Sequence, residues 1–185
     1  MARTPSNMLA LGTQAPNFSL PNTIDGKTHT FDNSSGANGT VVMFICNHCP
    51  YVIHVMECIT TIAKEYQNKG VEFVAISSND VVNYPDDDPA LMKETAEKYS
   101  FSFPYLYDES QDVAKEYDAA CTPDFYLFDR RKNLVYRGQM DSSRPKNNLP
   151  VTGKDLRAAM DALLSGKTIE TLQKPSLGCN IKWKV

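Results

Sequence analysis

At 185 residues, with 42% hydrophobic and 22% charged side chains, the chain has the length for one well-buried core and reads as one domain spanning 1–185. Its 19 Lys and Arg against 22 Asp and Glu leave a net charge of −3, so no basic field exists to attract nucleic acid. No uncharged apolar stretch is long enough to span a bilayer, and Met8 to Leu11, cut off by Gly12, is too short for the core of a signal peptide; no membrane partner and a cytoplasmic location are expected.

Segment 12–35 reads as a hairpin and loop: Ala15 to Leu20 alternates apolar with polar, and so does Lys27 to Phe31 after the Asp25-Gly26 turn signal. The Ser-, Gly- and Asn-rich loop from Asn33 to Thr40 leads into Val41 to Ile45, an unbroken apolar run of the kind a strand covered on both faces requires. Helical spacing of Val52, Val55, Met56, Ile59, Ile62, Ala63 and Tyr66 predicts a helix from Asn47 to Lys69, stopped by Gly70. Val71 to Ile76 is a second buried strand. Asp86-Asp87-Asp88 reads as a solvated loop, with Asp88 capping and Pro89 opening a helix through Lys98. A short strand over Pro104 to Tyr107 and a short helix over Gln111 to Tyr117 follow. Asp124 to Phe128 and Leu134 to Arg137 form a second hairpin, Asp155 to Leu164 the last helix, and 167–185 a C-terminal tail. Strands alternating with helices, plus a terminal hairpin, imply an α/β fold with a mixed sheet.

The chemistry centres on Cys46-Asn47-His48-Cys49-Pro50, a CxxC pair where the first buried strand meets the long helix. Unpaired amides and the dipole at a helix start favour thiolate over thiol, which marks Cys46 as nucleophile and Cys49, on the adjacent turn, as the resolving thiol. Asn47 is the expected cap, placing Pro50 at the third helical residue, where its missing amide costs nothing. A protonated His48 would stabilise the reduced form and raise the potential above the roughly −270 mV of thioredoxin. A zinc site would need two more ligands from Cys121, Cys179, His48 or His54. No second CxxC or HxxxH accompanies the pair, so neither metal nor cofactor is expected. Five cysteines, an odd number, speak for reduced thiols rather than structural disulfides. Cys58 lies about 14 Å along the helix from Cys49 and reads as a core residue. Cys121 and Cys179 stay open, either inert core thiols or auxiliary thiols of the site. His29 and His54 read as surface or structural residues.

Taken with Gly12 to Phe18, Thr122-Pro123-Asp124-Phe125 and the tail Pro175 to Trp183, the CNHCP segment resembles the redoxin branch of the thioredoxin superfamily. That branch includes ResA/TlpA-like thiol-disulfide oxidoreductases and alkyl hydroperoxide reductase/thiol-specific antioxidant proteins. The resemblance implies a thioredoxin fold, a mixed central sheet flanked by helices, with an N-terminal β-hairpin extension. It also implies a cis Pro123 against the CxxC, and a Thr122 offering backbone groups to an extended partner beside Cys46. Cys121 is outside the general pattern and either approaches Cys46 or faces the core. The activity implied is exchange or reduction of disulfides in protein or small-molecule thiols, with a peroxide-consuming thiol peroxidase as the alternative and a non-catalytic redox-sensing or metal-binding module as the third reading. Three departures stand out. The PxxxTxxC pattern of peroxiredoxins is missing, since Gly39 and Met43 hold those places. Ile45 replaces the Trp of thioredoxins, and no Asp or Glu occurs from Asn33 to Met56, so another base or water must deprotonate Cys49. ResA/TlpA-like relatives are commonly anchored and exported, whereas no anchor is expected here.

Overall fold

The computed structural model describes residues 3–185. A short strand β1 (Arg3–Pro5) precedes the antiparallel hairpin of β2 (Ser19–Pro21) and β3 (Thr28–Thr30), where Gly26 adopts φ +72° and donates its N–H to Asn22 as the Asp25-Gly26 turn signal anticipates.

β4 (Gly39–Phe44) is the strand around which the rest is built. Every residue in it is buried, because it lies between parallel β5 (Val71–Ser77) and antiparallel β8 (Asp124–Asp129), with β6 (Tyr105–Tyr107) and β9 (Leu134–Gly138) completing a five-stranded sheet in the order β6-β5-β4-β8-β9. Side chains alternate between the two faces. Val41, Met43 and Ile45 pack under α1 (Pro50–Gln67), joined by its Val52, Met56, Ile59 and Tyr66, whereas Val42 and Phe44 enter an aromatic layer with Phe31, Tyr117, Tyr126 and Phe128. A strand with two apolar faces cannot show the period-2 pattern, which is why it appears in sequence as an unbroken run.

The remaining helices are α2 (Pro89–Lys98), α3 (Asp112–Glu116) and α4 (Lys154–Leu164). The Asp88 side chain accepts from the Ala90 N–H at 2.8 Å with Pro89 at the first position, the capping expected from the sequence.

Two expectations need correction. α1 starts at Pro50 with Cys49 as its cap, two residues later than the expected Asn47 cap, because the Asn47 and His48 amides that would have opened the helix turn to the Asp87 carboxylate instead. Pro50 then stands at the first helical position, where a proline loses nothing. The tail is also more than a tail. β10 (Leu177–Asn180) is the middle strand of a second sheet, ordered β1-β10-β7, where β7 (Cys121–Thr122) directly precedes a cis Thr122-Pro123 bond.

No helix among the described residues is long and apolar enough to cross a membrane.

Candidate functional site

The backbone of Ile45 is still in register, donating to the Ile76 carbonyl at 3.0 Å, and the next residue, Cys46, sits where the chain leaves the sheet. Cys49 follows at the head of α1, its carbonyl accepting from the Val52 and Ile53 N–H groups at 3.0 Å. All five cysteines are thiols. Thr122 is the residue on which the two CxxC sulphurs converge: its Oγ1 lies 3.4 Å from Cys46 Sγ, and its carbonyl oxygen lies 3.3 Å from Cys49 Sγ, accepting from that thiol when it is protonated. A third sulphur joins them, Cys179 Sγ, 2.7 Å from Cys49 Sγ. All three are shielded, with Cys46 1%, Cys49 0% and Cys179 2% exposed.

The CxxC pair shares its protons unequally. Cys49 is pulled down to about 5, first by a hydrogen bond from Cys46, then against burial by hydrogen bonds from Cys179, the Val52 N–H and Thr122. Cys46 is pushed up by the same shared hydrogen bond, by burial and by the nearby Asp87 charge. The shared hydrogen bond, with the amides and dipole at the helix start, biases the charge of the pair toward Cys49.

Asp87 is the residue that sequence reasoning missed. The expected solvated loop instead presents a fully buried carboxylate to the CxxC segment. Its Oδ1 accepts from the Asn47 N–H at 2.8 Å and the His48 N–H at 3.4 Å, and its Oδ2 accepts from Asn79 Nδ2 at 2.7 Å. His48 Nδ1 stands 2.7 Å from Oδ2 but off the axis of a directed hydrogen bond, so the contact is an ion pair when the imidazole is protonated rather than an aligned N–H···O. Burial alone would raise the Asp87 carboxyl, yet His48, Asn79 and the Asn47 N–H override it and hold the group below the usual carboxylate range. Asp87 in turn raises His48, burial opposing. The His48 ring stacks on Tyr84, centroids 5.9 Å apart and planes within 8°. Asn47 accepts from the Tyr105 hydroxyl at 3.1 Å and donates to the Asp86 carbonyl at 2.9 Å; it fastens the two loops together instead of capping the helix. A topological signal was available: loops at the carboxyl ends of neighbouring parallel strands face one another, and the acidic run lies in the connection after β5 as CNHCP lies after β4.

The tail closes the other side. Cys179 is the register partner of Thr122 across β10 and β7, so one edge of the strand that the resemblance reserves for an extended partner is held by the chain's own C-terminal segment. Gly178 permits this approach, since a Cβ there would overlap the Thr122 carbonyl oxygen. Beyond the strand, the Lys182 N–H donates to Asn79 Oδ1 at 2.8 Å, so Asn79 joins the tail to Asp87.

The other sequence candidates lie apart. Cys121 Sγ approaches the Pro123 carbonyl at 3.9 Å and is pushed up by burial, with Asp124 and the other thiols adding. Cys58 is half-buried on α1; His54 contacts Ser143 Oγ at 2.8 Å and His29 Ser34 Oγ at 3.0 Å. For a cation, three donor atoms come within 4.8 Å of one another, one each from Cys46, His48 and Asp87. Of the ligands expected to complete a zinc site, only His48 belongs to that set, and the Asp87 oxygens already accept from amide N–H groups and face the His48 imidazole.

Residues 11–137 match the model of the AhpC/TSA family. The chain is 24% identical over 149 residues to the thiol-disulfide oxidoreductase ResA of Geobacillus thermodenitrificans, covering 79% of this chain and 80% of that one. Among solved structures, an uncharacterized conserved protein from Geobacillus kaustophilus shares 56% identity with a TM-score of 0.98, covering 100% of this chain and 97% of the other. A hypothetical protein from Sinorhizobium meliloti shares 46% identity with a TM-score of 0.96, covering 98% and 99%. Thioredoxin-like structures at 22% and 18% identity, with TM-scores of 0.63 and 0.66, share the architecture and show that the fold is the thioredoxin fold.

Proposed function

The chain belongs to the AhpC/TSA family, and on that footing we propose that it is a thiol-disulfide oxidoreductase whose working pair is Cys46 and Cys49. The observation that supports this most is the convergence of both sulphurs on Thr122, one at its hydroxyl and one at its carbonyl, directly before cis Pro123.

The reaction begins when the shared proton passes from Cys46 to Cys49, whose thiol then donates to the Thr122 carbonyl. Cys46 attacks one sulphur of the partner disulfide; a mixed disulfide forms, and the partner's second sulphur leaves as a thiolate. Cys49 then passes its proton to the partner thiolate released in the first step, attacks Cys46 Sγ and releases the first partner sulphur. The partner gains two electrons and the Cys46–Cys49 pair loses them. Thr122 holds both sulphurs in line. Asp87, through His48 and the Asn47 and His48 N–H groups, positions the loop that carries Cys46. The cytoplasm, whose glutathione and thioredoxin keep five thiols reduced, is the compartment this reading takes.

Insulin-disulfide reduction tests it. Cys46→Ser should abolish turnover and Cys49→Ser should accumulate a mixed disulfide with the partner, so an active Cys46→Ser protein would end the proposal.

A thiol peroxidase is the second reading. Cys46 is 1% exposed, which favours a small oxidant over a bulky one, and Thr122 supplies beside it the hydroxyl that the lead-in to CNHCP lacks. Peroxide consumption in stopped flow at a rate well above that of a free-thiol control selects this reading.

A further inference from the structure

Thr122 organises three sulphurs rather than two. Its hydroxyl meets Cys46, its carbonyl meets Cys49, and its register partner on β10 is Cys179. Cys179 Sγ is 2.7 Å from Cys49 Sγ, and a disulfide of about 2.05 Å requires only a small further approach. β10 is not a loose arm. It is the central strand of its sheet, and beyond it the Lys182 N–H is bound to Asn79 while the Lys182 carbonyl accepts from the Asp80 N–H at 2.8 Å.

We propose that Cys179 is a third redox thiol: it attacks Cys49 Sγ of the Cys46–Cys49 disulfide, forming a Cys49–Cys179 bond and releasing Cys46. One S–S bond is made and one broken, the Cys179 proton passes to Cys46, and the oxidation level of the protein is unchanged, so no further oxidant or reductant is consumed. The step rests on the dithiol reading above and extends it. The oxidising equivalent moves inward, and the reactive sulphur Cys46 becomes available for a second partner while the first oxidation is still stored.

The acid–base setting of Cys179 favours this order of events. In the reduced protein its thiol is pushed up to about 12 by burial and then by the hydrogen bond and charge of Cys49, with Lys182 opposing. Oxidation of Cys49 to a disulfide removes both the thiolate charge and the acceptor, so Cys179 becomes more acidic when there is a disulfide to attack.

Disulfide mapping by mass spectrometry tests the exchange. Protein oxidised by glutathione disulfide under native conditions is quenched in acid and alkylated. In the wild type, the label should appear on Cys46 in one population and on Cys179 in another, with Cys46–Cys49 and Cys49–Cys179 peptides both recovered. Cys179→Ser should lose the Cys46 label, Cys46→Ser should still form Cys49–Cys179, and Cys121→Ser should repeat the wild-type pattern. Recovery of Cys46–Cys49 alone, with Cys179 labelled in every molecule, overturns the third-thiol role and leaves the dithiol reading standing. Full labelling of all three thiols after oxidation overturns both.

Discussion

Two buried carboxylates, Asp87 and Asp124, are shifted in opposite directions. Asp87, on the loop after β5, faces an imidazole, a primary amide and two backbone N–H groups, and is held low. Asp124, the first residue after cis Pro123, receives hydroxyls from Ser6 at 2.9 Å and Tyr126 at 3.0 Å with its own neighbour's N–H at 3.2 Å, and burial pushes it up to about 7. Both side chains are fully buried. At Asp87 the imidazole, the primary amide and the backbone N–H groups override burial, whereas at Asp124 the hydroxyls of Ser6, Tyr126 and Ser176 and one N–H leave burial in command.

The largest break in that comparison is Asp124→Asn. The unfolded chain ionises this residue near 3.9 whereas the folded chain retains its proton to about 7, so folded stability falls as pH rises between those values and is level above. At roughly 1.36 kcal/mol per unit the penalty reaches about 4 kcal/mol. Urea unfolding of both proteins from pH 4 to 8 should show the variant gaining on the wild type up to pH 7, and a gap independent of pH would refute the raised carboxyl. Next, Asp87→Ala should cost about 3 kcal/mol, since it leaves the ring of His48, the Asn79 amide and two N–H groups without their acceptor; denaturant midpoints measure it. Asp87→Asn preserves the shape and removes the charge that opposes a Cys46 thiolate, so the reduced form gains and the potential should rise by about 30 mV, near 1.4 kcal/mol. Equilibration in glutathione buffers reads that shift together with the wild-type value, expected above roughly −270 mV; a variant potential unchanged or lower removes Asp87 from the redox account. The smallest effect belongs to Thr122→Val. Thiolate absorbance of the wild type should appear near pH 5 and be lost below it, and without the Thr122 hydroxyl the step should move upward by less than one unit, the worth of a hydrogen bond of about 1 kcal/mol.

Legibility followed the reach of the signal along the chain. β4, α1 and β5 declare themselves through runs and periods contained in a few neighbouring residues, and Asp88-Pro89 through a capping rule that spans two. What escaped depends on distant partners. The cap of α1 slid from Asn47 to Cys49 because an acid forty residues away takes the Asn47 N–H. β10 and β7 comprise four and two residues, too short for any period, and Cys179 meets Cys49 across 130 positions. Cys46 and Cys49 were visible from spacing alone, whereas the acid beside them was sought upstream on β4 and stands downstream of β5. Cys121 and Cys179 were equivalent in sequence; the direction in which each side chain leaves its strand separates them.

Asn79 also gives the site a chemical age. Its amide nitrogen binds Asp87 and its amide oxygen binds the Lys182 N–H, a pairing that needs one donor and one acceptor on the same side chain. Hydrolysis of that amide would leave an acceptor facing the Asp87 carboxylate, so a single slow covalent event would repel the acid loop from the segment that carries Cys179. Burial of Asn79 at 3% exposure, with the following Asp80 N–H bound to the Lys182 carbonyl, holds that amide in the orientation that joins the acid loop to the tail.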